Sequence, residues 1–239
     1  MLSAIQVRAQ VIGCRNCELA AKCRKPVPFD GPFPSEVAVV GEAPGRVEDE
    51  QGKPFVGPSG ELARSLVEPR LGQVPWLNVV SCFPNRTPTK VEVDACNGNL
   101  HSQLALIRPS RLLLFGGVAA GAFVDGYRVG ELRGRWFRTP VRGVDEQVFG
   151  MVTWHPAAVL RNRSLLVDVL DDLRTFRESV GTDGIPPYVS YPCVKCGSVV
   201  DPHVTDEGLS WCGKHWAWKI GKIGKGRKKF DGRVGLFDD

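Results

Sequence analysis

The chain has 239 residues, 43% of them hydrophobic, which is enough for one α/β domain and a small appendage. No apolar run approaches the roughly 20 residues of a membrane span, and the first residues lack the apolar segment of a signal peptide. We therefore expect a soluble cytoplasmic protein. The net charge of the chain is +5, but residues 214–233 alone carry +7. The rest of the chain therefore has a net charge of −2. A basic tail favours a polyanionic partner such as nucleic acid, although a solubilising tail has the same composition.

The eight cysteines indicate metal binding before disulfides, because a cytoplasmic chain is kept reduced. Cys14 and Cys17 form a C-x2-C pair, which places two thiolates within reach of one metal centre. Cys82 and Cys96 are separated by thirteen residues. Four thiolates from two separated segments would clip the N-terminal segment onto the domain. From the residues alone, zinc and an iron–sulfur cluster are equally compatible with this set.

A short apolar run from Val37 to Val40 predicts a buried parallel strand. It ends in Gly41-Glu42-Ala43-Pro44-Gly45, where a helix cannot begin at once. Because ligands of open α/β sheets lie outside the carboxyl ends of the strands, Glu42 is well placed for chemistry. On the predicted loop that follows, Phe55 is held between Pro54 and Gly57 and can offer a stacking face. A solvated acidic loop with Phe55 as a core plug is an equally good interpretation of this composition.

Strand and helix patterns alternate along most of the chain. We predict strands at 37–40, 75–81, 112–115 and 148–154, and helices at 59–71, 91–107 and 165–180, with a short helix from Gly116. This alternation predicts an α/β fold, a three-layer α/β/α domain around a central four-stranded parallel sheet.

Two more polar side chains belong to the predicted strands. Asn78 interrupts an apolar strand, where an amide is unfavourable unless it is paired, so it either bonds a neighbouring loop or reads a ligand. His155 follows the fourth strand and is fixed by Pro156. Together with Glu42, these residues place polar groups at three strand ends and predict a site at one edge of the sheet.

These motifs resemble those of a known family. GEAPG, an acidic pair and GKPFVGPSG, within residues 41–60, resemble the first motif of the uracil-DNA glycosylase superfamily, nearest to its iron–sulfur-containing type-4 branch. Residues 78–82 match the family's N-V-V-x-C, and residues 155–161 match its H-P-A-x-x-L-R. The resemblance covers about residues 10–180. It implies hydrolysis of the N-glycosidic bond of uracil in DNA, which leaves an abasic site.

The resemblance also implies roles for individual residues. Glu42 would stabilise the sugar cation and activate water, and His155 would donate to uracil O2. The residues expected to bind uracil are Gly41, Ala43, Phe55 and Asn78. The residues expected to contact DNA are Leu160, Arg161, Arg86, Arg133 and Arg163. Leu160 and Arg161 would fill the gap in the base stack and grip phosphates after the base flips out.

The resemblance favours a 4Fe–4S cluster over zinc at the first cysteine set. The implied ligands are Cys14, Cys17, Cys82 and Cys96, and the implied role is structural, because glycosidic hydrolysis needs no electrons. Cys23 has no counterpart in this pattern. It is either a free buried thiol or a competing ligand.

A second cysteine set lies outside the family resemblance. This set consists of a C-x2-C motif and, fifteen residues later, a C-x2-H motif, a spacing typical of tetrahedral zinc sites. A segment of about 30 residues is too short to fold without such a metal cross-link. We therefore predict a small zinc ribbon that binds Zn²⁺. Its predicted ligands are Cys193, Cys196, Cys212 and His215.

The predicted organisation has four parts. These are a glycosylase-like domain with its iron–sulfur segment at 1–180, a linker at 181–190, the zinc ribbon at 191–218 and a disordered basic tail at 219–239. Near the end of the tail, Leu236-Phe237 weakly resembles a sliding-clamp-binding peptide. We expect a monomer.

Two other functions are compatible with parts of this sequence. An inactive glycosylase fold with a zinc ribbon would bind DNA or a protein, but such a module would be free to lose Glu42, Asn78 or His155. A hydrolase of free nucleosides would not need Leu160-Arg161 or a basic tail. Deleting residues 214–239 should weaken a DNA enzyme in a salt-dependent way and leave a nucleoside hydrolase unaffected.

Overall fold

The computed structural model describes residues 2–124 and 128–182, together with the backbone of three two-residue strands beyond them. The helices are α1 (Ala4–Ile12), α2 (Leu19–Lys22), α3 (Arg46–Gln51), α4 (Pro58–Leu71), α5 (Lys90–Ile107), α6 (Gly116–Gly121), α7 (Val129–Leu132), α8 (Pro156–Arg161) and α9 (Leu165–Ser179). The strands are β1 (Val37–Gly41), β2 (Trp76–Asn78), β3 (Arg111–Phe115), β4 (Trp136–Thr139), β5 (Val148–Thr153), β6 (Val189–Ser190), β7 (His203–Val204) and β8 (Ser210–Trp211).

The main sheet has the strand order β2-β1-β3-β5-β4-β6. β2, β1, β3 and β5 are parallel neighbours, so the predicted four-stranded parallel core is confirmed. The sheet as a whole is mixed, because β4 pairs antiparallel with β5 and parallel with β6. The sequence analysis missed β4, a four-residue strand whose Arg138 breaks any apolar run.

The central strands are buried on both faces, as their continuous apolar sequences require. In β1, Val37 and Val39 face one core, where α4 and α9 pack. Ala38 and Val40 face the other core, which contains the apolar side of α5. This alternation arises because successive side chains of a strand point to opposite faces, and it produces the predicted three layers.

Two local predictions differ from the structure. The segment between Gly45 and Gly52 is not a loop but the helix α3, and its acids Glu48 and Asp49 are buried rather than solvated. Their carboxylates accept backbone hydrogen bonds that a sequence pattern cannot reveal. The second strand ends at Asn78 rather than at residue 81.

The predicted zinc ribbon and basic tail lie outside the described residues, apart from the backbone of β7 and β8, which form an antiparallel pair. The predicted domain boundaries at 180, 190 and 218 therefore stay predictions. Within the described part of the chain, no helix is both long and apolar enough to cross a membrane.

Candidate active site

The carboxyl ends of the parallel strands place the predicted polar residues along one edge. Gly41, the last residue of β1, pairs with Asn78, the last residue of β2. The carbonyl of Glu42 accepts a 3.0 Å hydrogen bond from the N–H of Val80. This bond holds the residues after β1 against the residues after β2. His155 follows β5 and is the residue that caps α8.

The histidine is held in one protonation state and one tautomer. Burial lowers the pKa of His155 to about 4, and the positive charge of Arg161 adds to this effect, so the imidazole is neutral at neutral pH. Its Nδ1 accepts a 3.1 Å hydrogen bond from the N–H of Ala157. The proton of the neutral ring therefore lies on Nε2, which can donate to a ligand.

Gly116 allows His155 to reach this position. It follows β3 with φ of +82°, and a Cβ on it would lie 3.0 Å from the Cβ of His155. Only glycine combines this backbone conformation with such a close approach. The sequence analysis placed this glycine only at the start of a short helix, and its position directly after a central strand was the one signal of a role in the site.

The carboxylate of Glu42 is half-buried at the same edge. Burial raises the pKa of Glu42, while the positive charge of Arg161 opposes that rise. Arg161 therefore lies close enough to influence both Glu42 and His155. The arrangement combines a carboxylate, a neutral hydrogen-bond donor and a cation.

The side chains of Asn78 and Phe55 both lie close to Gly41. Asn78 Oδ1 and Phe55 Cζ each lie 2.5 Å from the point where a Cβ on Gly41 would stand, so no larger residue fits there. Asn78 is buried, and the ring of Phe55 packs on Trp76 with a centroid distance of 4.8 Å. An amide and an aromatic ring on either side of one glycine can form a surface that both reads and stacks on a planar base.

Five thiols gather on the α5 side of the sheet. Cys14, Cys17 and Cys23 are half-buried, and Cys82 and Cys96 are buried. Burial, together with the nearby thiols of Cys17, Cys14 and Cys23, raises the pKa of Cys96 to about 11. Burial also raises the pKa of Cys82, which shares a hydrogen bond with Cys23.

This donor set consists of cysteine thiols alone. In the described part of the chain, no three His, Cys, Asp or Glu side chains converge tightly enough to hold one metal ion. A polynuclear iron–sulfur cluster is wider than one ion, and a 4Fe–4S cluster is typically held by four cysteine thiolates. The chemistry of the all-sulfur donor set therefore fits such a cluster.

Comparison with known proteins shows the family of this chain. The family description "Uracil DNA glycosylase superfamily" matches residues 28–177. The chain is 38% identical over 173 residues to the type-4 uracil-DNA glycosylase of Pyrobaculum aerophilum, covering 68% of this chain and 87% of the relative. It is 35% identical over 189 residues to the type-4 uracil-DNA glycosylase of Thermotoga maritima, covering 74% of this chain and 95% of the relative.

The chain belongs to the type-4 uracil-DNA glycosylases. The family resemblance that the motifs indicated is thus confirmed. In this type-4 glycosylase, Glu42 and Asn78 lie at the ends of the neighbouring strands β1 and β2, and His155 follows β5, on the far side of β3. Ala43 lies half-buried beside Glu42.

The residues predicted to contact DNA fall into two groups. Leu160 is 45% exposed on α8, and Arg161 and Arg163 are exposed next to it. Arg86 and Arg133 instead form ion pairs with carboxylates of the protein itself. Arg86 donates bidentate hydrogen bonds of 2.8 and 2.7 Å to Glu92, although half of its side chain stays exposed.

Arg133 lies in a network behind the site. It donates to both carboxylate oxygens of Asp172, at 3.2 and 2.9 Å. The same carboxylate accepts a 2.6 Å hydrogen bond from Thr153, at the end of β5. This network ties the loop around Arg133 to the strand that leads to His155, and it accounts for Arg133 without any contact to DNA. The sequence analysis missed Asp172, which belongs to an ordinary amphipathic helix pattern.

Proposed function

We propose that this enzyme hydrolyses the N-glycosidic bond of uracil in DNA and leaves an abasic site. Family membership supports the reaction, and the relatives are named type-4 uracil-DNA glycosylases. The observation that carries the proposal is the hydrogen bond from Ala157 N–H to His155 Nδ1, which leaves Nε2 as a donor at the same end of the sheet as Glu42 and Asn78.

The substrate base must leave the DNA stack to reach this site, since a duplex hides the glycosidic bond. Phe55 stacks on the extruded base, and Asn78 reads its edge. An Asn side chain accepts from N3–H of uracil and donates to O4, whereas cytosine presents the opposite pattern. The close approach of both side chains to Gly41 supports this assignment.

The bond to the base breaks as negative charge develops on uracil and positive charge on the sugar. His155 donates from Nε2 to uracil O2, where part of the negative charge collects. Glu42 stabilises the sugar cation and orients or deprotonates the attacking water, whose oxygen bonds to the anomeric carbon. The products are free uracil and an abasic sugar, so no covalent intermediate is required.

Most of the proposed contacts to the DNA strand come from α8 and the residues that follow it. Leu160 fills the gap left by the extruded base, and Arg161 and Arg163 contact phosphates on either side. Arg86 adds a phosphate contact through the exposed half of its side chain. The phosphate contact of Arg133 stays a prediction, and its ion pairs with Asp168 and Asp172 argue against it.

A 4Fe–4S cluster held by Cys14, Cys17, Cys82 and Cys96 would supply a structural cross-link and no redox step. It would join the N-terminal segment to the chain around Cys82 and to α5. We further propose that Cys193, Cys196, Cys212 and His215 bind zinc, and that the basic tail adds DNA affinity. The sliding-clamp peptide at Leu236-Phe237 and the monomeric state remain predictions.

The test uses an end-labelled, uracil-containing oligonucleotide on a denaturing gel, with and without alkali. Strand cleavage only after alkali is the expected result, because the enzyme leaves an abasic site. A heat-stable, slowly migrating band would contradict this mechanism, since it requires covalent capture of DNA. No excision, with the metal sites loaded, would favour the inactive binding module.

A further inference from the structure

The backbone of Phe55 is in a conformation that an aromatic residue rarely adopts. Its φ is +57°, in the left-handed region where a Cβ crowds the following carbonyl. Residues held there persist only when their surroundings enforce the conformation. At Phe55 the peptide groups on both sides are bound by side chains from α3 and α4.

Glu48 binds the two peptide groups that follow Phe55. Its Oε1 accepts hydrogen bonds from the N–H groups of Val56, at 3.1 Å, and Gly57, at 2.8 Å. The carboxylate is buried, and its Oε2 lies 2.7 Å from the position of a Cβ on Gly45. The glycines at 45 and 57 therefore leave a space that the carboxylate fills.

Arg64 binds the carbonyls on the other side of the same turn. Its Nε donates to the carbonyl of Phe55 at 3.0 Å, and a terminal nitrogen donates to that of Pro54 at 3.3 Å. Its guanidinium also lies over the ring of Trp76, at 4.8 Å from the centroid. Gly60 lets the backbone of Phe55 pack directly on α4.

We propose that Glu48 and Arg64 are positioning residues that hold Phe55 in its left-handed conformation and so fix the stacking face for uracil. This inference rests on the proposed function. Neither residue contacts the base. Together they bind the three peptide groups between Pro54 and Gly57, which determine where the Phe55 ring lies against Trp76.

The experiment is a double-mutant cycle between Glu48→Ala and Phe55→Ala in the full-length, cluster-loaded enzyme. The readouts are inhibition by free uracil and the single-turnover excision rate at saturating DNA. Glu48→Ala should raise the inhibition constant of uracil roughly tenfold, the size of a weakened base–aromatic stack. In the Phe55→Ala background it should have little further effect, because the ring that it positions is absent.

Two variants separate positioning from general destabilisation. Glu48→Gln keeps an oxygen that can accept both N–H groups, so it should restore most of the affinity for uracil. Glu61→Gln removes a charge from the exposed first turn of α4 and should change nothing. Arg64→Met should behave like Glu48→Ala, and Arg70→Met, at the exposed end of α4, should not.

Additive losses in the cycle would overturn the inference while leaving the proposed function intact, because they show that Glu48 acts independently of Phe55. Failure of Glu48→Gln to restore affinity would also overturn it. A wild-type enzyme that neither excises uracil nor is inhibited by it would overturn the proposed function, and this inference with it.

Discussion

His155 accepts a 3.1 Å hydrogen bond at Nδ1 from the backbone N–H of Ala157, two residues further along the chain. This contact lies at the first turn of α8, where N–H groups have no partner within the helix. It uses one ring nitrogen for capping and leaves the other, with its proton, for the ligand.

The first prediction concerns this division of roles. His155→Asn keeps an oxygen that can cap α8 but removes the Nε2 donor, so we expect the single-turnover excision rate to fall by roughly 100-fold or more. His101 offers a matched control, because its Nδ1 accepts from the N–H of Arg142 and burial lowers its pKa to about 4. His101→Asn should leave excision unchanged. Equal losses in the two variants would show that the effect is structural.

The second prediction concerns the space above Gly41. Gly41→Ala places a Cβ against Asn78 Oδ1 and Phe55 Cζ, at distances that real contacts do not reach, so both side chains must move. We expect a loss of excision of roughly tenfold or more, by analogy with small displacements in other active sites. Gly98→Ala on α5 meets no neighbouring atom within 4 Å and should stabilise the fold by about 1 kcal/mol without changing excision.

The third prediction distinguishes arginines that bind DNA from those that support the fold. Arg163→Gln should weaken DNA binding and reduce the slope of log affinity against log salt by about one phosphate contact. Arg133→Gln should leave that slope unchanged and lower the free energy of unfolding, because Asp172 loses its partner. A reduced salt slope for Arg133→Gln would restore the original assignment of this residue to the DNA interface.

The fourth prediction concerns acid stability. Hydrogen bonds from Arg86 lower the pKa of Glu92 to about 2, from 4.5. Between these values the unfolded chain binds the proton more tightly, so the stability from this pair is present above pH 4.5 and is lost as the pH falls towards 2. Glu92→Gln should flatten the pH dependence of unfolding in that range. The exposed Glu61→Gln should not.

The fifth prediction concerns the cysteines. Cys82→Ser and Cys96→Ser should abolish the broad visible absorption of an iron–sulfur cluster and lower the unfolding temperature, because two segments lose their cross-link. Cys23→Ser should keep the absorption, since this thiol hydrogen-bonds to Cys82 without belonging to the proposed ligand set. Loss of colour in Cys23→Ser would make Cys23 a ligand. A colourless protein containing only zinc would contradict the cluster itself.

The amino-acid sequence determined the parallel core of this protein and the strand ends that carry Glu42, Asn78 and His155. Both follow from local chemistry, because continuous apolar runs must be buried on two faces and the residues after them emerge at one edge. The family motifs added the type-4 assignment. The short strand β4 left no such pattern, since its pairing depends on a distant partner, β5.

The tertiary structure decided what each charged residue does. In the sequence, Arg133 and Arg163 are equivalent cations, yet one meets the buried Asp172 and the other faces solvent. A solvated acidic loop was one of two interpretations of the segment that contains Glu48, but folding surrounds this carboxylate with the backbone N–H groups beside Phe55. Charged side chains are long and are paired by residues far along the chain, so their roles depend on contacts that exist only after folding.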